Sequence, residues 1–529
     1  MARSPTAHRG QLPVLQAKAP EDRRRRSVPG AEAPRVGLIT LGCDKNTVDS
    51  ERLLARLAHA GARVVADARD VDVLVVNTCG FIDVAKEESV DTILDAVRLK
   101  QDGRVQAVVA VGCLVQRYRD ELTREIPEVD LFLGLTEAER LVPELQARGL
   151  LRAGFVPTME RPLRWLSTST RHTSYLKISE GCDHACAFCA IPLMRGKHRS
   201  TPIDTLVREA RELEANGVVE LNLISQDTTW YGRDLLRGDS GDTTDWFIGR
   251  RFRGMAGCEA GVADGSAPIS AAGARSAAVR GRKHGLLPEL LRALLAETSI
   301  PWLRLFYMYP SGIHRELVEL MAAEPRIVPY LDMPIQHGSD RVLTRMRRPE
   351  RQATIRERVA WLRAALPDVA LRTTVIVGFP GESDDDFAQM IELLEEIRFD
   401  HLGAFSYSLE EDTAAAAMPD QVPAHVVRER MERLLDVQRT IAQDRNEQWL
   451  GREVRVLIDE LTGGERRLPG RQRIGHGAIG RTARQAREID GVVQITAAAG
   501  VRPGEFVTAH ITGVTESDFK AELRACTGE

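Results

Sequence analysis

The chain has 529 residues, a formal net charge of −4, 43% hydrophobic and 28% charged residues, and eight cysteines. This is the ordinary balance of a soluble protein, long enough for three or more domains, and eight cysteines at this length do not make a secreted disulfide scaffold. No apolar run approaches the ~18 residues of a membrane span and no secretory signal pattern opens the chain, so a cytoplasmic protein with no membrane partner is expected.

Residues 1–33 carry seven basic and three acidic side chains among Pro, Gly and Ala, which predicts a disordered basic tail. The remainder then stands at −8, a poor default nucleic-acid binder. Residues 34–150 alternate strand and helix: VGLITLG (36–42), a helical VDSERLLARLAHAG (48–61), VDVLVVN (71–77) and QAVVAVG (106–112). That alternation predicts a parallel α/β domain. Each of the three strands runs into a cysteine: Cys43, Cys79 and Cys113. Ligand sites of open parallel sheets lie outside the carboxyl ends of the strands, so three cysteines more than 30 residues apart can face one crevice. The alternative is three unrelated buried thiols; core thiols, however, should favour strand interiors. A shared ligand role is the stronger reading.

A second α/β run occupies about 168–415. Its strands are TSYLKISEG (173–181), VVELNLIS (218–225), WLRLFYMY (302–309), VPYLDMPI (328–335), VALRTTVIVG (369–378) and HLGAFSYS (401–408). Six βα units predict a partial (βα)6, TIM-like barrel with its chemistry at the carboxyl ends of the strands. After the first strand, EGCDHACAFCAIP (180–192) places Cys182, Cys186 and Cys189 in Cys-x3-Cys-x2-Cys spacing. Three thiolates so close can bind three irons of a cubane and leave the fourth open, and an open position marks a reactive metal site. Zinc with His184 as fourth ligand is the structural alternative, but no second cysteine knuckle occurs to complete it.

Residues 238–284, with nine Gly and nine Ala, interrupt the second run and read as a flexible insertion holding Cys258, a thiol with no cluster role. A charged connecting helix is expected over 416–450. From 451, EVRVLIDE (453–460), GVVQITA (491–497) and GEFVTAHITG (504–513) predict a small antiparallel β-barrel over 451–520. Twelve basic and eleven acidic residues from 451 onward do not mark a strong phosphate binder. Cys526, in the tail, is incidental.

The Cys-x3-Cys-x2-Cys loop at the end of the first barrel strand, with Phe188 before the last cysteine, resembles the radical-SAM superfamily. All three regions together resemble the methylthiotransferases: a flavodoxin-like N-terminal domain, a radical-SAM core and an OB-like TRAM barrel. The resemblance implies that Cys182, Cys186 and Cys189 hold the radical 4Fe–4S cluster, with S-adenosyl-L-methionine at the open iron. It implies that Cys43, Cys79 and Cys113 hold an auxiliary 4Fe–4S cluster. One S-adenosylmethionine would methylate a sulfide on that cluster, and a second would supply a 5′-deoxyadenosyl radical. The chemistry lies with the cofactors, so no side chain is assigned as general acid or base. VGFPGE (377–382) and Ser225-Gln226-Asp227 are candidate approaches to the adenosyl group or simple turns.

Within the family, LGCDKNTVDSE (41–51), RHTSYLKISEGCDHACAFCAIPLMRGKHRS (171–200), SQDTTWYG (225–232), DMPIQHGSDRVL (332–343) and EIDGVV (488–493) resemble the RimO-type branch. That branch converts an aspartate of ribosomal protein S-twelve to 3-methylthioaspartate; the competing MiaB-type branch modifies an adenosine of transfer RNA. An acidic body suits a basic protein substrate. The resemblance further implies a low-potential donor of the flavodoxin or ferredoxin kind, a sulfur source, and no obligatory nucleic acid. Two departures stand out: Asp44, where the branch usually has Pro, and the insertion.

Overall fold

The computed structural model describes residues 33–66, 71–154, 163–166, 171–237, 285–462, 477–496, 498 and 500–524. The basic tail up to residue 32, the insertion at 238–284, Cys258 and Cys526 lie outside those residues.

Five parallel strands form the first sheet: β1 (Arg35–Thr40), β2 (Arg63–Val64), β3 (Val73–Thr78), β4 (Ala107–Gly112) and β5 (Leu131–Gly134). Their order is β2-β1-β3-β4-β5, the flavodoxin-like winding whose switch point falls between β1 and β3. Helices α1 (Asp44–His59), α2 (Asp83–Gln101) and α3 (Cys113–Glu125) follow β1, β3 and β4. Alternation along β3 builds a core on each face: Val73 and Val75 pack with Leu53 and Leu57 of α1. Leu74 and Val76 pack with Ile93 and Val97 of α2. α1 starts at Asp44, directly after Cys43, with an acid in its first turn where the helix dipole favours one.

The second sheet has six parallel strands in sequential order and stays open: β6 (Thr173–Lys177), β7 (Glu220–Ile224), β8 (Trp302–Leu305), β9 (Ile327–Asp332), β10 (Ala370–Val377) and β11 (His401–Ser406). The expected strand at 173–181 is split. After Lys177 the chain leaves the barrel, and Ser179–Glu180 pairs antiparallel with Arg199–Ser200, enclosing the cysteine loop. The strand expected at 302–309 ends at Leu305, because Tyr307 adopts φ 57°. Leu, Val, Ile and Met from strands and helices form one large core behind the sheet. On either side of the undescribed insertion, Leu286 N–H donates to the Tyr231 carbonyl at 2.6 Å.

The long helix Ala424–Glu447 packs on the barrel's last helix and strand. The C-terminal strands β12 (Glu453–Thr462), β13 (Gly477–Arg481), β14 (Val493–Ile495), β15 (Phe506–Val514) and β16 (Phe519–Leu523) close into a barrel. Its pairings are antiparallel except β14 with β16, which is parallel. The sequence analysis had not marked β13, which carries two glycines in five residues, or β16, a short strand with two charged residues.

This barrel plugs the larger one. Arg304 of β8 donates to the Ala483 carbonyl at 2.8 Å, and the Tyr330 hydroxyl of β9 donates to Asp490 at 2.8 Å. Glu220 receives Arg304 and Arg481 at 2.8 and 2.7 Å, all three fully buried.

Candidate cluster sites

β1, β3 and β4 are neighbours in register, with Thr40 opposite Asn77 and Thr78 opposite Gly112. Their ends therefore deliver Cys43, Cys79 and Cys113 to one edge. Gly42 turns the chain at φ 87°, and a Cβ there would lie 2.7 Å from Cys79 Cβ and 2.8 Å from its Sγ. Only glycine allows the two cysteine turns to approach this closely. Ser89 of α2 fixes the Cys79 turn, accepting from its N–H at 2.9 Å and donating to its carbonyl at 2.8 Å. Burial raises the Cys79 thiol, and Cys43 nearby adds to the effect. Burial likewise pushes Cys113 up to about 12, opposed by Arg195 and reinforced by Cys43 and Cys79. The three sulfurs thus share one electrostatic neighbourhood, in which a bare thiolate is costly and a cation welcome.

The loop of Cys182, Cys186 and Cys189 is held at several points. Cys182 N–H donates to the Gly196 carbonyl at 3.0 Å, and Ala187 N–H to the Met346 carbonyl at 2.9 Å. Ala415 N–H donates to the Ala187 carbonyl at 2.8 Å. Burial pushes Cys182 and Cys189 up to about 12; Cys189 and Cys186 raise Cys182 further, and Cys186 raises Cys189. Cys186 Sγ lies 3.8 Å from the Tyr309 hydroxyl and 3.9 Å from an Arg348 nitrogen, and Arg348 stacks 3.8 Å over the Tyr309 ring.

His184 does not stand as a fourth ligand. Its Nε2 meets Asp227 at 2.7 Å and its ring lies between Tyr309 and Trp230. Among the described residues no three Cys, His, Asp or Glu are gathered for a single metal ion. A lone zinc would draw its sulfurs to ~2.3 Å, whereas a cubane seats each thiolate on a different iron and needs a wider triad. Three neighbouring thiols whose burial makes a bare thiolate costly have the donor chemistry that a 4Fe–4S group with one open iron takes.

Of the two candidate turns, Ser225-Gln226-Asp227 ties the second strand end to the cysteine loop through Asp227 and His184. In VGFPGE the Gly378 N–H donates to Glu382 at 2.7 Å. The adjoining Phe379 is buried in an apolar cluster with Ala187, Val342 and Ala415, against which Phe188 packs. That cluster sets an aromatic floor beside the loop.

Sequence reasoning missed the polar seam joining the two nests. Arg195, six residues after Cys189, donates to Asn46 Oδ1 at 2.7 Å, to Glu180 at 2.8 Å and to Asp49 at 3.2 Å. Lys177 binds the same two carboxylates. Burial would lower Arg195, but Glu180, Cys113 and Asp49 hold it charged. Asn46 and Arg195 both lie in strings singled out above, yet nothing in either string tells which side chain crosses to the other domain. Tyr307 makes a second crossing: its hydroxyl donates to Asp44 at 3.3 Å, and Lys45 Nζ sits 3.2 Å over its ring. Asp44, the departure from the usual Pro, is therefore an interdomain contact.

The chain matches the uncharacterized protein family UPF0004 over residues 35–134, the Radical SAM superfamily over 176–394 and the TRAM domain over 450–523. It is 44% identical over 498 residues to a ribosomal protein uS12 methylthiotransferase RimO of Anaeromyxobacter sp. (strain K), covering 93% of this chain and 94% of that one. It is 41% identical over 515 residues to a protein of the same name from Symbiobacterium thermophilum, covering 95% and 94%. Among solved structures, the radical S-adenosylmethionine methyltransferase TsrM of Kitasatospora setae superposes with TM-score 0.46 at 12% identity, covering 71% and 75%. With a uS12-methylthiotransferase likeness running nearly end to end, the chain belongs to the RimO family of radical-SAM methylthiotransferases.

Proposed function

We propose that the chain inserts a methylthio group at the β-carbon of an aspartate of ribosomal protein uS12, consuming two S-adenosylmethionines per turnover. Cys182, Cys186 and Cys189 hold the radical cluster, and Cys43, Cys79 and Cys113 hold the auxiliary one. The domains run 34–150, 168–415 and 451–520, with a connecting helix at 416–450. The observation that carries this reading is the presence of two separate cysteine nests at strand ends of two domains, joined by one buried seam.

When bound, the two clusters and S-adenosylmethionine supply radical cleavage and the transferable sulfur. The chain's own residues do the rest. Gly42 lets the Cys43 and Cys79 turns meet. Arg348 and Tyr309 line the sulfur of Cys186, and Phe188 and Phe379 exclude water beside it. Asp227 anchors His184, and so the outer face of the loop. Electrons come from a low-potential flavodoxin- or ferredoxin-like donor, sulfur comes from a separate source, and no nucleic acid is required. Among the described residues no helix is long and apolar enough to cross a membrane, in keeping with a cytoplasmic enzyme on a ribosomal substrate.

The test is anaerobic reconstitution and reaction with uS12 or transfer RNA, read by mass. One hydrogen exchanged for a methylthio group on uS12 alone is expected; gain on transfer RNA alone would transfer the chain to the MiaB-type activity. Cys79→Ala and Cys186→Ala should each retain about half the iron, lost from different clusters.

A further inference from the structure

The seam between the nests joins Cys113 and Arg195, more than 80 residues apart in sequence and on helices of different domains. Arg195 is 4% exposed and closes the short helix Ile191–Arg195, directly after the cysteine loop. That helix packs Ala190, Ile191 and Met194 against Cys113 and Leu135, so its backbone is fixed to the neighbouring domain. The guanidinium then meets Asn46. The Asn46 amide nitrogen donates to the carbonyls of Leu41 and Thr78 at 2.8 and 3.1 Å. With both those acceptors taken, the amide is oriented: its oxygen must face Arg195 at 2.7 Å and Cys113 Sγ at 3.8 Å. Leu41 and Thr78 each lie within two residues of a cysteine of the nest, so this one amide ties together the turns of Cys43, Cys79 and Cys113.

An amide oxygen pointed at a thiolate is unfavourable by itself. A buried, fixed guanidinium on that same oxygen reverses the local field. Charges in such a site act through a low effective dielectric. Two carboxylates, Asp49 and Glu180, and one further cation, Lys177, complete the group. Through this group the auxiliary nest faces two cations and two anions, three of the four supplied by the radical-SAM domain, in addition to Asp44, Lys45 and Glu88 of its own domain.

We propose that Arg195 is a positioning residue of the auxiliary site. Reaching across from the radical-cluster loop, it orients Asn46 against Cys113 and, with Glu180, sets the reduction potential of whatever iron–sulfur group Cys43, Cys79 and Cys113 hold. Cluster potentials respond to net charge and to polar contacts at the sulfurs. A cation favours the added electron, and a carboxylate opposes it. The inference rests on the ligand assignment above.

The test uses the full-length chain with Cys182, Cys186 and Cys189 replaced by Ala, anaerobically reconstituted, so that a single cluster is observed. Iron and sulfide content are measured first, and an EPR-monitored redox titration follows. Arg195→Met should lower the equilibrium constant for one-electron reduction tenfold or more, which is 59 mV. Glu180→Gln should shift it in the opposite direction, and Arg195→Lys should return it to within tenfold of the parent. If the parent chain binds no cluster, the ligand assignment fails. If it binds one and neither Arg195→Met nor Glu180→Gln moves the potential, this inference fails and the assignment stands. Should Arg195→Met lose its cluster, the sign of the Glu180→Gln shift decides.

Discussion

At Gly42 the chain has no latitude. Its φ of 87° disfavours any side chain, and a methyl group would overlap Cys79 Cβ and Sγ. Gly42→Ala should therefore strip the auxiliary cluster while the radical cluster remains, leaving about half the iron, with the surviving signal abolished only by a second change in the Cys182 loop. The placement of the cysteines was legible in the sequence: Cys182, Cys186 and Cys189 share one loop, and Cys43, Cys79 and Cys113 follow the ends of neighbouring strands. What surrounds them was not. Asn46, Arg195, Glu180 and Asp49 are ordinary polar residues whose meaning comes from a contact between domains, and local periodicity carries no information about such contacts. Asp44 illustrates the same limit: it stood out only as a departure, and its role emerges from the hydroxyl of Tyr307, more than 250 residues away.

Among the elements, long apolar strands and amphipathic helices announced themselves, while their ends were decided by tertiary partners. The strand beginning at Thr173 breaks after Lys177 because the next residues pair elsewhere to frame the cysteine loop. β13, with two glycines in five residues, and β16, which alternates over only five residues, are too short to stand out alone and became strands through closure of the barrel. The helix Asp384–Ile397, which follows the VGFPGE turn, owes its start to a reciprocal cap: the Ser383 side chain accepts from Asp386 N–H at 3.2 Å, and Asp386 accepts from Ser383 N–H at 2.9 Å. Ser383→Ala should cost about 1 kcal/mol. Hydrogen exchange is expected to quicken in the first turn of that helix, with iron content unchanged; uniform quickening along the whole helix would contradict a local capping role.

For the molecule as a whole, the C-terminal barrel is bound by buried ion pairs. Burial alone would raise the Asp459 carboxyl, but hydrogen bonds from His172 and Arg481 prevail and bring it down to about 2. Glu220, burdened in the same way by burial, is brought down to about 2 by Arg481 and Arg304. Both folded values lie below the unfolded ones, near 3.9 for Asp. Their stabilisation is thus fully present above about pH 5 and is lost progressively as pH falls toward 2, with Asp459 contributing about 2 kcal/mol. Trp302, packed 4.8 Å from Phe506 of the small barrel, offers a fluorescent reporter. Acid titration should expose it between about pH 4 and 2, and Asp459→Asn should flatten that transition at the expense of stability at neutral pH.

Tyr231 and Leu286 touch through a backbone hydrogen bond although 54 residues separate them in sequence. The two points that flank residues 238–284 are thus pinned together by the barrel itself. A change in chain length between two pinned points leaves the register of the following strands, and the strand ends that carry the cysteines, where they are.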